Sequence, residues 1–175
     1  AHPHHDFEVD ATGNVHVLTQ QVRETEPPGF EHLPRPRIDD FIVTLSPDGQ
    51  EISSTSLIDV FAKSPFGRRL YFASQESLLI GDYLHANSVD VLKRPIRGIP
   101  GSHAGQVLVS LREISTIALI DEETQQVVWG QSGPWVSGAA SSAATIASTR
   151  IACPCRNDKP MRMSAHSESS AAAVA

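Results

Sequence analysis

The sequence contains the same series of strand signals twice, and this repetition constrains the fold more than any other feature. In each unit, apolar and polar residues alternate over four short segments that are separated by turn residues. The two units are 80 residues apart, from His5 to His85. The segments correspond in order: HDFEVD to HANSVDVL, GNVHVLT to GQVLVSL, DDFIVTLS to STIALID, and PDGQEISS to EETQQVVW. A recurring four-strand unit is typical of a β-propeller blade.

The predicted fold class is therefore all-β, with about two four-stranded antiparallel blades that form a partial β-propeller. Propellers need about four to eight blades to close. Two units thus predict a piece of a larger propeller, or a chain that associates to complete one. Open units leave β-edges exposed, which favours self-association. A β-sandwich remains open as an alternative, because short alternating strands also build sandwiches.

Two stretches depart from the strand pattern. In residues 57–80, Leu57, Val60 and Phe61, followed by Leu70 and Phe72, have the spacing of short helical pieces that pack on a sheet. Residues 136–175 are rich in Ala and Ser and lack alternation, so we expect a disordered or irregular tail. The predicted organisation is a β-propeller part over residues 1–135 and this tail over residues 136–175. The first residues, AHPHHD, indicate the interior of a longer protein.

Composition argues against several classes of function. The net charge is -6 and the chain has no cluster of Lys and Arg, which disfavours nucleic-acid binding. No apolar stretch is long enough for a membrane span. Cys153 and Cys155 are too close for an unstrained disulfide and lack a second ligand pair, so no metal site is predicted. Asp39 and Asp40 are expected to cap a loop before a strand, with too few oxygen ligands for calcium.

His5 and His85 occupy the same place, at the start of the first strand of each unit. A functional role of these histidines has to be weighed against structural explanations. His5 could belong to a solvated terminal segment, and His85 could cap a strand end. Arg112 could be a surface partner of Glu113 or Glu122. The remaining histidines on strands or in loops are expected to be structural or exposed: His16, His32 and His103.

Four segments resemble the bacterial arylsulfotransferase family, over residues 4–135. They are HHDFEVDATGNVHVL, DDFIVTLSPDGQEI, GDYLHANSVDVL and GQVLVSLREISTIALIDEETQQVVWGQSGPW. The specific pieces are LHANS and VSLRE, whereas PDG and GN occur in many propellers. The resemblance implies a six-bladed β-propeller that transfers a sulfuryl group from a phenolic sulfate ester to a phenol, through a sulfated histidine and without a cofactor. It also implies phenols and their sulfate esters as partners, and a parent protein that is periplasmic or exported.

Carried over by motif, the resemblance implies roles for five residues. His85 would bind the sulfuryl group or act as an acid or base, Arg112 would contact the sulfuryl oxygens, and His5 would be the counterpart in the earlier blade. His4 and Asn87 would help to bind the substrate. The chemistry suits these residue types, because fixed donors stabilise charge on the sulfuryl oxygens and a phenoxide leaving group needs a proton. Imidazole is also a competent nucleophile.

The chain departs from the family pattern after GQSGPW. The family's nucleophilic histidine belongs to a further blade, but here VSGAASSAATIAS follows without a histidine. His166 lies in the tail, without strand context. We therefore expect the isolated chain to be inactive, and a non-catalytic propeller scaffold or binding protein is the alternative function.

The tail after Trp135 has two explanations, a genuine tail and a frameshift. If Ala139–Ser142 is encoded GCA GCA TCA TCC, reading one base later gives Gln-His-His-Pro, close to the missing element. Resequencing the gene tests this hypothesis, which requires that another reading frame restores strand-like sequence after Trp135.

Overall fold

The structure is a computed structural model that describes residues 2–27, 29–31, 33, 35–70 and 81–133 of the 175-residue chain. The described residues form eight β-strands and the short helix α1. In chain order, the elements are β1 (His2–Val9), β2 (Val15–Arg23), β3 (Arg37–Leu45), β4 (Glu51–Ser56), α1 (Leu57–Ala62), β5 (Ala86–Val91), β6 (Val107–Leu111), β7 (Thr116–Asp121) and β8 (Gln126–Ser132).

The strands form two four-stranded antiparallel sheets, β1-β2-β3-β4 and β5-β6-β7-β8. In each sheet the spatial order of the strands is their order in the chain, so every strand pairs with the next one. The alternation seen in the sequence places side chains on opposite faces: in β2, His16 and Leu18 are buried, while Val15 and Val17 are only partly buried. The prediction of an all-β fold with two such sheets is confirmed.

A hydrophobic core lies between the two sheets. Leu18 and Ile42 of the first sheet contact a cluster that includes Val89, Val109 and Ile120 of the second sheet. A second, smaller cluster lies around Leu108, Ile117 and Leu119, with Ile99 packed on them from a loop. The second sheet therefore has apolar contacts in both clusters. The first sheet leaves large apolar side chains exposed, namely Phe7, Val9, Val22 and Ile52.

Helix α1 follows β4 directly and packs its apolar residues into the core. Ser56 caps its start by accepting a hydrogen bond from the Asp59 N–H at 3.1 Å. Leu57, Val60 and Phe61 are fully buried, as the sequence predicted for a helical piece packed on a sheet. Phe72, expected in a second piece, lies outside the described residues. Among the described residues, no helix is long and apolar enough to cross a membrane.

Carboxylates of the first sheet hold the first strand of the second sheet. β1 and β5 lie against each other. Asp40 Oδ2 accepts the Ala86 N–H at 3.0 Å, and Asp6 Oδ2 accepts the Val89 N–H at 3.1 Å. The expectation that Asp39 and Asp40 cap a loop is wrong, because both residues lie inside β3 and are fully buried. Each buried carboxylate is stabilised by hydrogen bonds that it accepts from another element.

A separate group of polar contacts joins the sheets through Glu122, which follows β7. Its carboxylate accepts a hydrogen bond from Thr44 at 3.1 Å and lies 3.0 Å from His16 Nδ1. Ser53 donates to the same carboxylate at 3.3 Å. His16 is buried and structural, in agreement with the sequence analysis. The predicted tail, residues 136–175, lies outside the described residues.

Candidate functional site

Three histidines meet where β1 and the start of β5 lie side by side. The ring centroids of His4 and His5 are 4.8 Å apart, and those of His5 and His85 are 5.0 Å apart. His4 and His85 are 6.4 Å apart. The structure thus brings together histidines from both units of the sequence, which the repeat had placed at equivalent positions.

The backbone has the same unusual conformation at both equivalent histidines. His5 has φ 60° and His85 has φ 50°, in the left-handed region that residues other than glycine seldom adopt. The strand register also shifts beside each of them, between Pro3 and Phe7 in β1 and between Ala86 and Ser88 in β5. Irregularities of this kind turn a side chain away from the regular alternation of the strand. Here they accompany the approach of the two imidazoles.

His5 and His85 face each other through their Nε2 atoms, which are 3.1 Å apart. On its other side, His85 Nδ1 lies 2.6 Å from Asp82 Oδ2. A carboxylate only accepts hydrogen bonds, so the proton of this bond belongs to His85 Nδ1. Gln20 Nε2 donates to the same Asp82 oxygen at 3.3 Å. The result is a chain of contacts from Gln20 through Asp82 and His85 to His5.

His4 lies beside a second carboxylate. Its Nε2 atom is 3.0 Å from Asp40 Oδ1, but the direction of the ring N–H does not give a hydrogen bond. Asp40 instead accepts the Ala86 N–H at 3.0 Å, and Gln20 Nε2 lies 3.5 Å from its other oxygen. The contact between His4 and Asp40 is therefore ionic only when His4 is protonated.

Arg112 lies next to the histidines and also has an acidic partner. Its backbone N–H donates to the carbonyl of His85 at 3.1 Å. Its guanidinium Nε donates to Glu113 Oε1 at 2.8 Å, so the alternative interpretation of an ion pair with Glu113 is present in the structure. The guanidinium side chain is 29% exposed and its charge acts on His5.

The surroundings of His5 disfavour its charged form. Burial lowers the pKa of His5 below 6.5. Repulsion by His4 and His85, whenever these rings carry a proton, and by Arg112 lowers it further, against the opposing effect of Asp40. His5 is therefore a neutral imidazole at neutral pH, able to donate one hydrogen bond and accept another.

Sequence reasoning did not identify every residue of the cluster. Asn87 lies at the β-bulge of β5 and takes no part in the contacts that join the three histidines. Asp82, Asp40 and Gln20 were not assigned to the site. Asp82 had a local signal, because it stands three residues before His85 in GDYLHANS. Asp40 and Gln20 had none, since their proximity depends on how the sheets dock.

The cluster is suited to holding an anion that carries several oxygens. Its donors are imidazole N–H groups and the Arg112 guanidinium, and a charged donor such as this guanidinium binds such oxygens strongly. Among the described residues, no group of three or more His, Cys, Asp or Glu side chains is arranged to hold a metal ion. Cys153 and Cys155 lie outside the described residues.

Comparison with protein-family models gives a match to this chain. A family model described as "Arylsulfotransferase (ASST)" matches residues 2–144, which include every residue of the cluster. No curated protein and no solved structure matches the chain significantly.

Proposed function

Because the chain belongs to the arylsulfotransferase family, we propose that His5, His85 and Arg112 hold the sulfuryl group of a phenolic sulfate ester during its transfer to a phenol. The observation that carries this proposal is the meeting of His5 and His85, 80 residues apart, with Nε2 atoms at 3.1 Å. Arg112 is attached to the same place by its backbone hydrogen bond to His85.

The donors of the cluster match the oxygens of a sulfuryl group. The guanidinium of Arg112 has five N–H donors, and the bond to Glu113 uses one of them. His5 adds a neutral donor, since its pKa is lowered by burial first and then by the neighbouring charges. Fixed donors that face the transferring group stabilise the charge that develops on its oxygens.

In the proposed reaction, the ester O–S bond breaks, an S–N bond forms to a nucleophilic histidine, and the aryl oxygen leaves as phenoxide. The phenoxide takes a proton from a neighbouring acid, and His85 is placed for this step. In the second half-reaction, the acceptor phenol gives its proton to a base, its oxygen bonds to sulfur, and the S–N bond breaks. His4 supports binding of the ester, and Asn87 orients its surroundings.

The expected nucleophilic histidine has no counterpart at the place where the family pattern puts it. That place is directly after GQSGPW, where VSGAASSAATIAS follows without a histidine and His166 comes only later in the sequence. We therefore expect the isolated chain to bind aryl sulfates without transferring the sulfuryl group. This absence, together with the Arg112–Glu113 ion pair, favours a non-catalytic scaffold or binding protein as the second candidate function.

The proposal includes a β-propeller architecture of the six-bladed type. Each sheet is built from four consecutive strands, whereas the immunoglobulin-type sandwich exchanges strands between sheets through Greek-key connections. The first strands, β1 and β5, lie against each other, as the inner strands of neighbouring blades do around an axis. The strand edges and exposed apolar residues of the first sheet, including Phe7 and Val9, support self-association or packing against further blades.

The test combines activity and binding in one set of samples. The full chain is incubated with 4-nitrophenyl sulfate and phenol while release of 4-nitrophenolate is followed, and binding of the ester is measured by calorimetry. We expect no release above the buffer rate. We expect binding that falls about tenfold in His85→Ala and in Arg112→Ala, since a hydrogen bond to a charged group contributes about 1.5 kcal/mol or more.

His103→Ala and Arg97→Ala are matched controls, because both residues lie in the loop of residues 93–106, outside the cluster. Equal binding by all four variants and the unchanged chain would overturn the assignment of the site. Release of nitrophenolate that disappears in His85→Ala would overturn the expectation of inactivity and show that a different nucleophile serves the reaction.

A further inference from the structure

Asp82 makes the shortest contact in the histidine cluster. Its Oδ2 atom is 2.6 Å from His85 Nδ1, compared with 3.1 Å between the Nε2 atoms of His85 and His5. Asp82 is buried, with 5% of its surface exposed. A buried carboxylate at this distance fixes both the orientation of an imidazole and the nitrogen that carries its proton.

The position of Asp82 is itself held by other parts of the chain. The carbonyl of the preceding residue, Gly81, accepts the Ile38 N–H at 2.8 Å, and Ile38 and Asp82 form an isolated parallel bridge. Gly81 also lies directly against the Pro36 carbonyl. The side chain of Gln20 approaches Asp82 from β2. Contacts with β2, with β3 and with the loop that precedes β3 therefore fix the position of Asp82 without a bound ligand.

This placement makes the two facing histidines unequal. With its proton on Nδ1, neutral His85 presents a lone pair at Nε2, to which His5 donates its Nε2–H as long as no ester separates the two rings. His4 has no equivalent arrangement, because its contact with Asp40 lacks the geometry of a hydrogen bond. Within the described cluster, only His85 combines a fixed Nδ1–H with an Nε2 atom that faces the other rings.

We propose that Asp82 is a positioning residue: it fixes His85 in the Nδ1–H tautomer, so that His85 Nε2, and not His5, exchanges the proton with the phenol oxygen. The tautomer follows from the geometry alone, whereas the exchange with phenol rests on the proposed function. When phenoxide leaves, the proton on Nε2 of the His85 imidazolium moves to the phenoxide oxygen and leaves the neutral Nδ1–H form. The acceptor phenol returns a proton to the same nitrogen.

The tautomer is measured by long-range nitrogen–proton correlation spectra of the full chain with ¹⁵N-labelled histidine, at about pH 8, where unperturbed imidazoles are neutral. The His85 signals are identified by their loss in His85→Gln. We expect a protonated Nδ1 and an unprotonated Nε2 in the unchanged chain. In Asp82→Ala we expect the Nε2–H form to dominate, because the partner that selects Nδ1–H is gone.

Asp90→Ala is the matched control, since Asp90 lies in β5 five residues after His85 and its substitution leaves the Asp82 contact intact. Asp82→Asn keeps the volume of the side chain if Asp82→Ala does not fold. Its amide N–H₂ can donate to His85 Nδ1, so the Nε2–H form is again expected. An Nε2–H form of His85 in the unchanged chain, or an Nδ1–H form that survives in a folded Asp82 variant, would overturn the proposal.

Titration of the same samples with 4-nitrophenyl sulfate separates this inference from the proposed function. An unchanged chain that shows the Nδ1–H tautomer and does not bind the ester overturns the proposed function and supports the positioning role of Asp82. An unchanged chain that binds the ester while His85 is in the Nε2–H form supports the proposed function and overturns the role of Asp82.

Discussion

At the scale of single residues, His5 shows how the cluster controls charge. Its ring lies 4.8 Å from His4 and 5.0 Å from His85, measured between centroids. A proton on His5 would place one more positive charge beside these rings and Arg112, at a position that is exposed to water on its other side. The neutral form is favoured for this reason. His5 therefore donates a hydrogen bond without carrying a positive charge.

The first prediction concerns the titration of His5. Burial, then His4, His85 and Arg112 in that order, lower the pKa of His5 below 6.5. We therefore expect His4→Ala to raise the midpoint of the His5 titration toward 6.5, and Arg112→Ala to raise it by less. The measurement is a proton NMR titration of the imidazole Hε1 resonances. A midpoint of His5 that stays in place in both variants contradicts this order of causes.

At the scale of structural elements, the segment before β5 is fitted tightly to the loop before β3. Gly81 has φ +88°, and a Cβ atom there would lie 1.9 Å from the Pro36 carbonyl oxygen. Gly98 has the same φ of +88°, but a Cβ atom there would meet nothing within 4 Å. The two glycines therefore differ in packing while sharing the same backbone conformation.

The second prediction uses this pair. Gly98→Ala should lower the free energy of unfolding by about 1 kcal/mol, from the left-handed backbone alone. Gly81→Ala should cost more than that, because the overlap with Pro36 moves Asp82 and separates it from His85. Urea unfolding gives the free energies, and the His85 tautomer spectrum reports the separation. Equal losses of stability in the two variants would show that the loop before β3 moves to accommodate the added methyl group.

The elements themselves were largely predictable, while much of the site was not. Alternation in segments such as VHVLTQQ marks a strand with one buried face, so β2 and its neighbours could be located from the sequence. The repeat also placed His5 and His85 at equivalent positions. By contrast, DDFIVTL alone does not show whether Asp40 caps a loop or is buried in β3. Its partner, the Ala86 N–H, is 46 residues away and is set by docking of the sheets.

At the scale of the whole molecule, the two sheets are joined by ionisable groups as well as by the apolar core. Burial alone would lower the pKa of His16, but hydrogen bonds and charges from Glu122 and Asp10 raise it above 6.5. Glu122 follows β7 of the second sheet, and His16 lies in β2 of the first sheet. Protonated His16 therefore lies between two carboxylates and strengthens the contact between the sheets.

The third prediction is the pH dependence of this contact. Because the pKa of His16 is higher in the folded chain than in the unfolded chain, its contribution is fully present below pH 6.5 and is lost as pH rises through the folded value. We expect His16→Gln to lower Tm more at about pH 5.5 than at about pH 8.5. The measurement is thermal unfolding followed by circular dichroism.

His103→Gln is the control for this prediction, since hydrogen bonds to Ala104 and Asp121 raise the pKa of His103 too, but within the second sheet and its loop. The pH-dependent part of the His16→Gln effect should persist when His103 is also substituted. A His16→Gln effect of the same size at both pH values would mean that the charge of His16 does not act between the sheets.

The distance in sequence between His5 and His85 has a consequence for folding. Their contact spans 80 residues, so it closes a long loop whose entropy must be overcome by contacts already formed. Each sheet pairs only neighbouring strands and can form from short-range contacts, whereas the histidine cluster requires both sheets and their docking. We therefore expect the cluster to assemble late during folding, after the strands of each sheet have paired. The signals of His5 and His85 would then report docking of the sheets, separately from the pairing of strands within each sheet.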